Sequence, residues 1–449
     1  MKKLVSASIL SLAISVQMAV AQSNVKTGWT FGVLPSVAYD ADLGFQYGAL
    51  TNIYFYGDGS TYPEYLHSIY VEANRTTKKS GLFRLNLDSR SLLPGYRLSL
   101  DVSFMPDEMS DFAGFNGYQA VYNSTWHDDG ASDYRSRAFY KYRRNLFRTA
   151  ADIQGRITDR INWNAGLGVL SFDIDRVNLN KLNRGQSDDK KLPDIDCLYD
   201  KYQQWGLIPD NENSGGLFPY IHVGATFDSR NQSAAPSSGI WADAFLTYTA
   251  AFGNKKEFNS LKLNANFRQY IALRTPSAVV AYRIGAQFTL AGSTPFYMLC
   301  YHNTLTLKRA AYESLGGSSS LRGVMRNRVI SHGFALANIE LRLRIVNFNV
   351  GNQHFYIATN PFVDAGMVLQ PVSVDEQQVR LAAATTGDNA DDYFNCSKSG
   401  VYRPHTSGGV GLKFAMNENF ILSVDWATPF NSQDSGKKSN LYVKMGYLF

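Results

Sequence analysis

The chain has 449 residues, with 44 Lys and Arg against 38 Asp and Glu and a net charge of +6, too mild a balance to point to nucleic acid as a partner. Its three cysteines, Cys197, Cys300 and Cys396, exclude a disulfide framework and leave at least one thiol without an internal partner, and their spacing matches no metal site. Aromatic residues make up 13% of the chain, with 27 Tyr and 27 Phe, a content in keeping with the interfacial girdles of membrane barrels.

At the start, Lys2 and Lys3 precede an apolar stretch ending in Ala19-Val20-Ala21, the layout of a secretory signal peptide over residues 1–21. A membrane anchor fits less well, because the stretch is short and holds Ser6, Ser8, Ser11, Ser15 and Gln17. No cysteine follows the small residues, so lipoprotein processing has no support. Residues 22–28 are then expected to be a short periplasmic lead and 29–449 the folded domain. Beyond the signal no apolar run reaches 18 residues, so no membrane helix is expected.

Period-two alternation runs through the rest of the chain. In SHGFALANIELRLRIV, Ala335, Ala337, Ile339, Leu341, Leu343 and Ile345 share one face, and Leu336, Asn338, Glu340, Arg342 and Arg344 share the other. LKLNANFRQYIAL and the final NLYVKMGYLF read in the same way. Strands are expected over 29–39, 43–57, 64–76, 80–91, 95–106, 134–157, 160–174, 217–229, 239–252, 258–273, 278–292, 331–348, 353–369, 404–416, 420–430 and 438–449. The segment 134–157 is kept as one bulged strand. With that choice the long connections 107–133, 175–216, 293–330 and 370–403 all follow odd-numbered strands and lie on one side of the membrane.

Soluble sandwiches also alternate, so length and inner-face chemistry decide the solvent. Several runs reach 12 or more residues, whereas about ten tilted residues span a bilayer core and soluble strands average about five or six. The inner faces carry Arg84, Arg135, Arg137, Lys141, Arg268, Arg283, Glu340, Arg342 and Arg344, too many charges for a dry core and suited to a wet lumen. The expected fold is an all-β, sixteen-stranded antiparallel transmembrane barrel. An even, closed barrel leaves no sheet edge in lipid.

Four stretches in chain order carry a more specific signal: TFDSRNQSAAPSSG, GGSSSLRGVMRNR, ANIELR followed by PFVDAG, and a last strand ending in Phe449. Together they resemble the barrel of the BamA/TamA superfamily of outer-membrane assembly factors, also called the bacterial surface antigen family. The resemblance covers 226–449, and in the first half rests only on LPSVAYDADLGFQYG. It implies a sixth extracellular loop folded back into the lumen, where its arginine pairs with an acid on the strand two further on. Matched residue by residue, Leu321, Arg322 and Gly323 form the loop motif, Phe362, Asp364 and Gly366 the partner-strand motif, and Glu340 a second inward acid. Tyr447 and Phe449 match the C-terminal signal for barrel assembly. Read from the residues, Asp364 and Glu340 fall on lumen faces of neighbouring strands, and one guanidinium can fork two carboxylates.

Two departures from the family's pattern are visible. Only residues 22–28 separate the expected signal from the first strand, leaving no room for the periplasmic receptor domains that the family carries; an assembly role would then use the barrel alone or partner proteins. The loop motif has Val324 where the family commonly has an aromatic residue. The first strand contains Gly32 and Pro35, which weaken pairing, and marks a candidate lateral seam with the last strand.

The expected function is insertion or translocation of outer-membrane or surface components from an integral outer-membrane position. Outer-membrane lipid, periplasmic or outer-membrane partner proteins and a second copy of the chain are the candidate partners. The alternative is a passive pore with a basic lumen. No cofactor and no enzymatic chemistry are expected: no G-x-S-x-G is present, and His127-Asp128-Asp129 reads as loop decoration. Ser318, Ser319 and Ser320 read as loop flexibility. The three cysteines fall in or beside extracellular loops, where one disulfide could form.

Overall fold

The structure, a computed structural model, describes residues 25–62, 64–275, 277–299, 314–351, 353–395, 400–416 and 420–449; the expected signal peptide lies outside them. Sixteen antiparallel strands, each paired with the next, close into a barrel. They are β1 (Trp29–Pro35 continued by Ala38–Asp40), β2 (Gly44–Phe55), β3 (His67–Thr76), β4 (Gly81–Ser89), β5 (Tyr96–Met105), β6 (Lys141–Arg156), β7 (Ile161–Asp175) and β8 (Gly216–Asp228). The wall continues with β9 (Gly239–Thr249), β10 (Ser260–Ala272), β11 (Ala278–Gly292), β12 (Gly333–Val350), β13 (Gln353–Gln370), β14 (His405–Met416), β15 (Phe420–Pro429) and β16 (Asn440–Met445).

The alternation sorts side chains in the sense opposite to that of a soluble sheet. Leu85, Val102, Leu167, Ile221, Ile284, Ile339 and Leu412 face outward and are exposed, while Asn86, Asp101, Asn264, Arg268, Arg283, Asn338 and Glu340 face inward and are buried. An apolar outside around a charged interior is stable only where lipid takes the place of water. None of the helices among the described residues is long and apolar enough to cross a membrane.

All four long connections emerge at one end. Aromatic side chains from three of them converge there: Phe112, Phe115 and Trp126 after β5, Tyr199, Tyr202 and Trp205 after β7, and Tyr393 and Phe394 after β13. Phe296 and Tyr297 join them from the fourth, after β11. Phe112 meets Tyr202 edge-on at 5.1 Å and Trp205 meets Tyr393 at 5.0 Å, so these loops form a packed cap.

Two expectations about strands are corrected. The segment 134–157 is strand only from Lys141. Residues 135 and 136 instead donate backbone N–H groups to the Trp126 carbonyl at 2.9 and 3.0 Å, and the Arg135 guanidinium stacks 3.8 Å from the Trp126 ring. Arg135 and Arg137 thus belong to the cap and not to the lumen wall, and Lys141 at the strand's edge pairs with Asp111. The last strand ends at Met445 rather than reaching residue 449. Gly446 takes φ 80, the left-handed region that favours glycine, and its N–H bonds the Ile421 carbonyl at 2.8 Å. Tyr447, Leu448 and Phe449 then turn inward and are buried, where a continued strand would have placed Tyr447 and Phe449 towards lipid.

Candidate functional site

The loop after β11 turns inward through Gly316 and Gly317, at φ 110 and 90, and Gly323, at φ 92. Arg322 is carried to the middle of the barrel with no exposed surface. Its Nε and Nη2 donate to the two oxygens of Asp364 at 2.9 and 3.0 Å, and its backbone N–H adds a third bond to Asp364 at 3.0 Å. Nη1 donates to Glu340 Oε1 at 2.7 Å and lies 3.7 Å from Asp425. The guanidinium also sits 3.4 Å from the centre of the Phe362 ring. Two carboxylates on adjacent strands are therefore forked by one planar cation above an aromatic face, which an ammonium cannot reproduce.

Neighbouring positions make room for this contact. An added Cβ at Gly366 would meet Leu321 Cδ1 at 2.9 Å, and one at Gly323 would meet the Thr428 backbone at 3.2 Å. Leu321 packs with Leu315, Val324, Val329, Phe334, Leu336 and Val368 into a fully dry cluster. Val324, where the family commonly has an aromatic residue, is thus a core residue of the inserted loop.

The same loop holds the last strand. Gly323 N–H donates to Tyr442 Oη at 3.1 Å, Asn440 Nδ2 donates to the Gly323 carbonyl at 2.8 Å, and Lys444 Nζ donates to the Ser318 carbonyl at 2.7 Å. Ser318, Ser319 and Ser320 are not merely flexible: the carbonyls of the second and third accept from Arg283 at 3.1 Å and Asn338 at 2.8 Å. Toward the cap, Arg326 pairs with Asp107 and Asp111, and Arg328 donates to the Gly117, Ala120 and Gln433 carbonyls.

The barrel closes over a short seam. β16 meets β1 through two residue pairs, Tyr442 with Asp40 and Val443 with Tyr39. Trp29–Pro35 pairs on its other side with β2 from Trp29–Phe55 to Pro35–Ala49. Gly32 and Pro35 both lie in this segment, and the strand breaks at Ser36-Val37. Phe31 and Val33 are 79% and 67% exposed.

Residues 67–449 match the model of the Omp85 superfamily domain. The chain belongs to the Omp85 superfamily. Among solved structures, this Omp85 barrel is similar to BamA from Haemophilus ducreyi lacking POTRA domains 1–3, with a TM-score of 0.55 and 16% identity over 94% of this chain and 70% of that one. It is also similar to CdiB from Escherichia coli, with a TM-score of 0.53 and 10% identity over 92% of this chain and 62% of that one. At those identities the likeness is one of fold. No curated protein matches the sequence.

Two inward residues of the Omp85 site escaped sequence reading. Asp425 on β15 and Lys413 on β14 form a fully buried ion pair directly beside Arg322. Their signal was an acid alternating inward in ILSVDWA, between outward Leu422, Val424 and Trp426. Arg342 completes the group through Glu340 at 3.0 Å, so within this group three carboxylates face three cations and each charge has an opposite partner. His127 lies in the cap with Nε2 3.4 Å from Tyr122 Oη, and Asp128 caps the N–H of Gly130. Among the described residues no group of three side chains is placed to hold a metal ion. Cys197 is buried and not in a disulfide, with its thiol pushed up to about 12 chiefly by desolvation; Cys300 and Cys396 lie outside the described residues.

Proposed function

We propose that this Omp85 barrel inserts or translocates outer-membrane or surface components in the manner of the BamA/TamA type, with Arg322 as the lock of the inserted loop and the β1–β16 seam as the place where a client strand leaves. Residues 1–21 act as the export signal and residues 22–28 as a periplasmic lead to the barrel. A client here is an unfolded outer-membrane strand segment. Tyr447 and Phe449 direct the barrel's own assembly.

One observation carries the reading: a strand edge of seven residues, Trp29–Pro35, stands beside a seam joined by two residue pairs. An unpaired edge is costly in lipid and is a ready template for another strand. The three bonds from the inserted loop to β16 support the same reading, since they tie the lock to the strand that forms the seam. The pore alternative has less support, because the inserted loop fills the lumen around Arg322 and aromatic packing covers the outer end.

The test is a Tyr39→Cys, Val443→Cys pair in proteoliposomes supplied with an unfolded eight-stranded outer-membrane barrel. Oxidation should stop client insertion and reduction should restore it, with either single variant unaffected. Equal insertion in both redox states would overturn the seam as the exit. A steady open conductance in planar bilayers would favour the pore.

A further inference from the structure

Two basic connections meet over the extracellular end of the barrel seam. The turn between β3 and β4 carries Lys78 and Lys79, and the connection between β15 and β16 carries Lys437 and Lys438, all four exposed. Lys78 Nζ donates to the Ala41 carbonyl at 2.7 Å, and Lys437 Nζ donates to the same oxygen at 3.2 Å. Ala41 lies in the turn between β1 and β2, next to Asp40, which pairs with Tyr442 across the seam. Two ammonium groups thus share one neutral acceptor, where like charges repel and an anion placed between them is attracted by both.

The acids nearby do not neutralise them. Asp40 Oδ1 accepts the backbone N–H groups of Asp42 and Leu43 at 2.8 and 3.2 Å, and Asp111 pairs with Lys141 and Arg326. The buried Oδ2 of Asp42 has no hydrogen-bond partner, and desolvation, Asp40 and Asp111 push this carboxyl up to about 8. The wall below suits an amphiphile. Tyr39, Phe45 and Tyr47 of β1 and β2 face outward and are exposed, and Arg75, in register with Tyr47, is exposed beside them with its guanidinium 5.2 Å from the Phe83 ring. Two residues nearer the membrane centre, Ala73 pairs with Phe83, Phe83 with Phe104 and Phe104 with Phe147. Such an aromatic row marks the edge of the hydrocarbon, so Arg75 and the four lysines stand at the level of the lipid headgroups.

We propose that this patch binds a phosphorylated glycolipid of the outer leaflet, with Lys78 and Lys437 on its phosphate, Lys79 and Lys438 adding charge around it, and its acyl chains along Tyr39, Phe45 and Tyr47. Ammonium groups hold phosphate through charge-assisted hydrogen bonds, and the headgroup height together with the outward aromatic floor selects a lipid over a free anion. Lys78 belongs to the turn after β3 and Lys437 to the connection that leads into β16, so one phosphate bridges the two sides of a seam joined by two residue pairs. A bound lipid therefore steadies the seam from outside, as the inserted loop does from inside. The site stands on its own geometry and does not depend on the insertion reading.

The test titrates the purified full chain in detergent with bis-phosphorylated lipid A and reads the bound lipid by native mass spectrometry. The native chain should hold it at least about tenfold more tightly than enzymatically dephosphorylated lipid A, since each ammonium beside an anionic lipid is worth about fivefold. Lys78→Gln combined with Lys437→Gln should reduce that preference about tenfold or more. Should this pair disturb the turn, as judged by heat-modifiable migration, Lys79→Gln combined with Lys438→Gln removes charge without removing a bond to Ala41 and should still reduce the preference about tenfold. Arg156→Gln combined with Arg160→Gln, exposed at the opposite end of the barrel, should leave it unchanged. Equal binding of the two lipids, a preference that survives in the lysine variants, or an equal loss in the arginine control would overturn the site. Full displacement of the lipid by inorganic phosphate would also overturn it, by showing a site for a free anion in place of a lipid.

Discussion

Removing the guanidinium of Arg322 tests the inserted loop most directly. In Arg322→Ala, Asp364 loses both side-chain bonds and keeps only the backbone N–H at 3.0 Å. Glu340 retains Arg342 and Asp425 retains Lys413, so the uncompensated charge is concentrated on Asp364. Breaking a buried pair while leaving one ion behind costs about 3–5 kcal/mol, or a population of released loop larger by a factor of about 10² to 4 × 10³. Hydrogen exchange read by mass spectrometry over residues 314–331 should accelerate by that factor, while strands β4 to β7 on the far wall stay protected. Adding Asp364→Asn removes the stranded charge and should recover about 1–3 kcal/mol of the loss. Arg322→Lys should fall between the two, since an ammonium keeps the charge without the fork. Unchanged exchange over 314–331 in Arg322→Ala would refute the argument, because it would mean that the ion cluster does not hold the loop.

Four further outcomes follow from the same geometry. Gly323→Ala forces a left-handed backbone on alanine and brings a Cβ to 3.2 Å from the Thr428 backbone; a cost of at least about 1–2 kcal/mol should appear as a lower thermal midpoint in detergent. Tyr442→Phe strands the Gly323 N–H at a cost of about 1–3 kcal/mol, and faster exchange over 440–445 than over 420–429 would show that the loop steadies the seam strand. In the cap, burial pushes the Glu212 carboxyl up to about 7, while the Phe296 N–H donates to it at 2.6 Å. Because the folded state keeps this proton to a higher pH than the unfolded chain does, the cap is firmest below the ordinary carboxylate range and loosens as pH rises through about 7; proteolysis within 176–215 should increase across that window, and Glu212→Gln should flatten the dependence. Cys197, whose thiol is pushed up to about 12 from the ordinary 9.0, should label with maleimide on the order of 10³-fold more slowly than an exposed thiol, as peptide mapping at that residue would show.

How far the sequence reads depends on how local each feature is. The wall of the barrel is written in alternation with period two, a property each strand carries in its own residues, so Asn264, Arg268, Asn338 and Glu340 could be placed inward before any partner was known. Arg322, Asp364 and Glu340 were legible as well, since short motifs marked them and strand parity put both acids on facing sides of adjacent strands. Asp425 and Lys413 were harder to see: an inward acid two strands away gains meaning only once closure of the cylinder brings it to the same guanidinium.

The cap, the seam and the fate of the last residues were decided by tertiary structure. Arg135 and Arg137 fit an alternating pattern, yet aromatic rings from its own connection and from the one after β13 offered Arg135 better partners than a strand could. The number of residue pairs joining β1 to β16 depends on where a closed ring meets itself, which neither strand encodes alone. Tyr447 and Phe449 alternate as strand residues should, but the apolar floor between β10 and β11 and the cation of Arg342 lie more than 100 residues away along the chain. Local periodicity therefore specified what each strand presents to lipid and to the lumen, while contacts between segments distant in sequence settled which edge stayed open and what filled the interior.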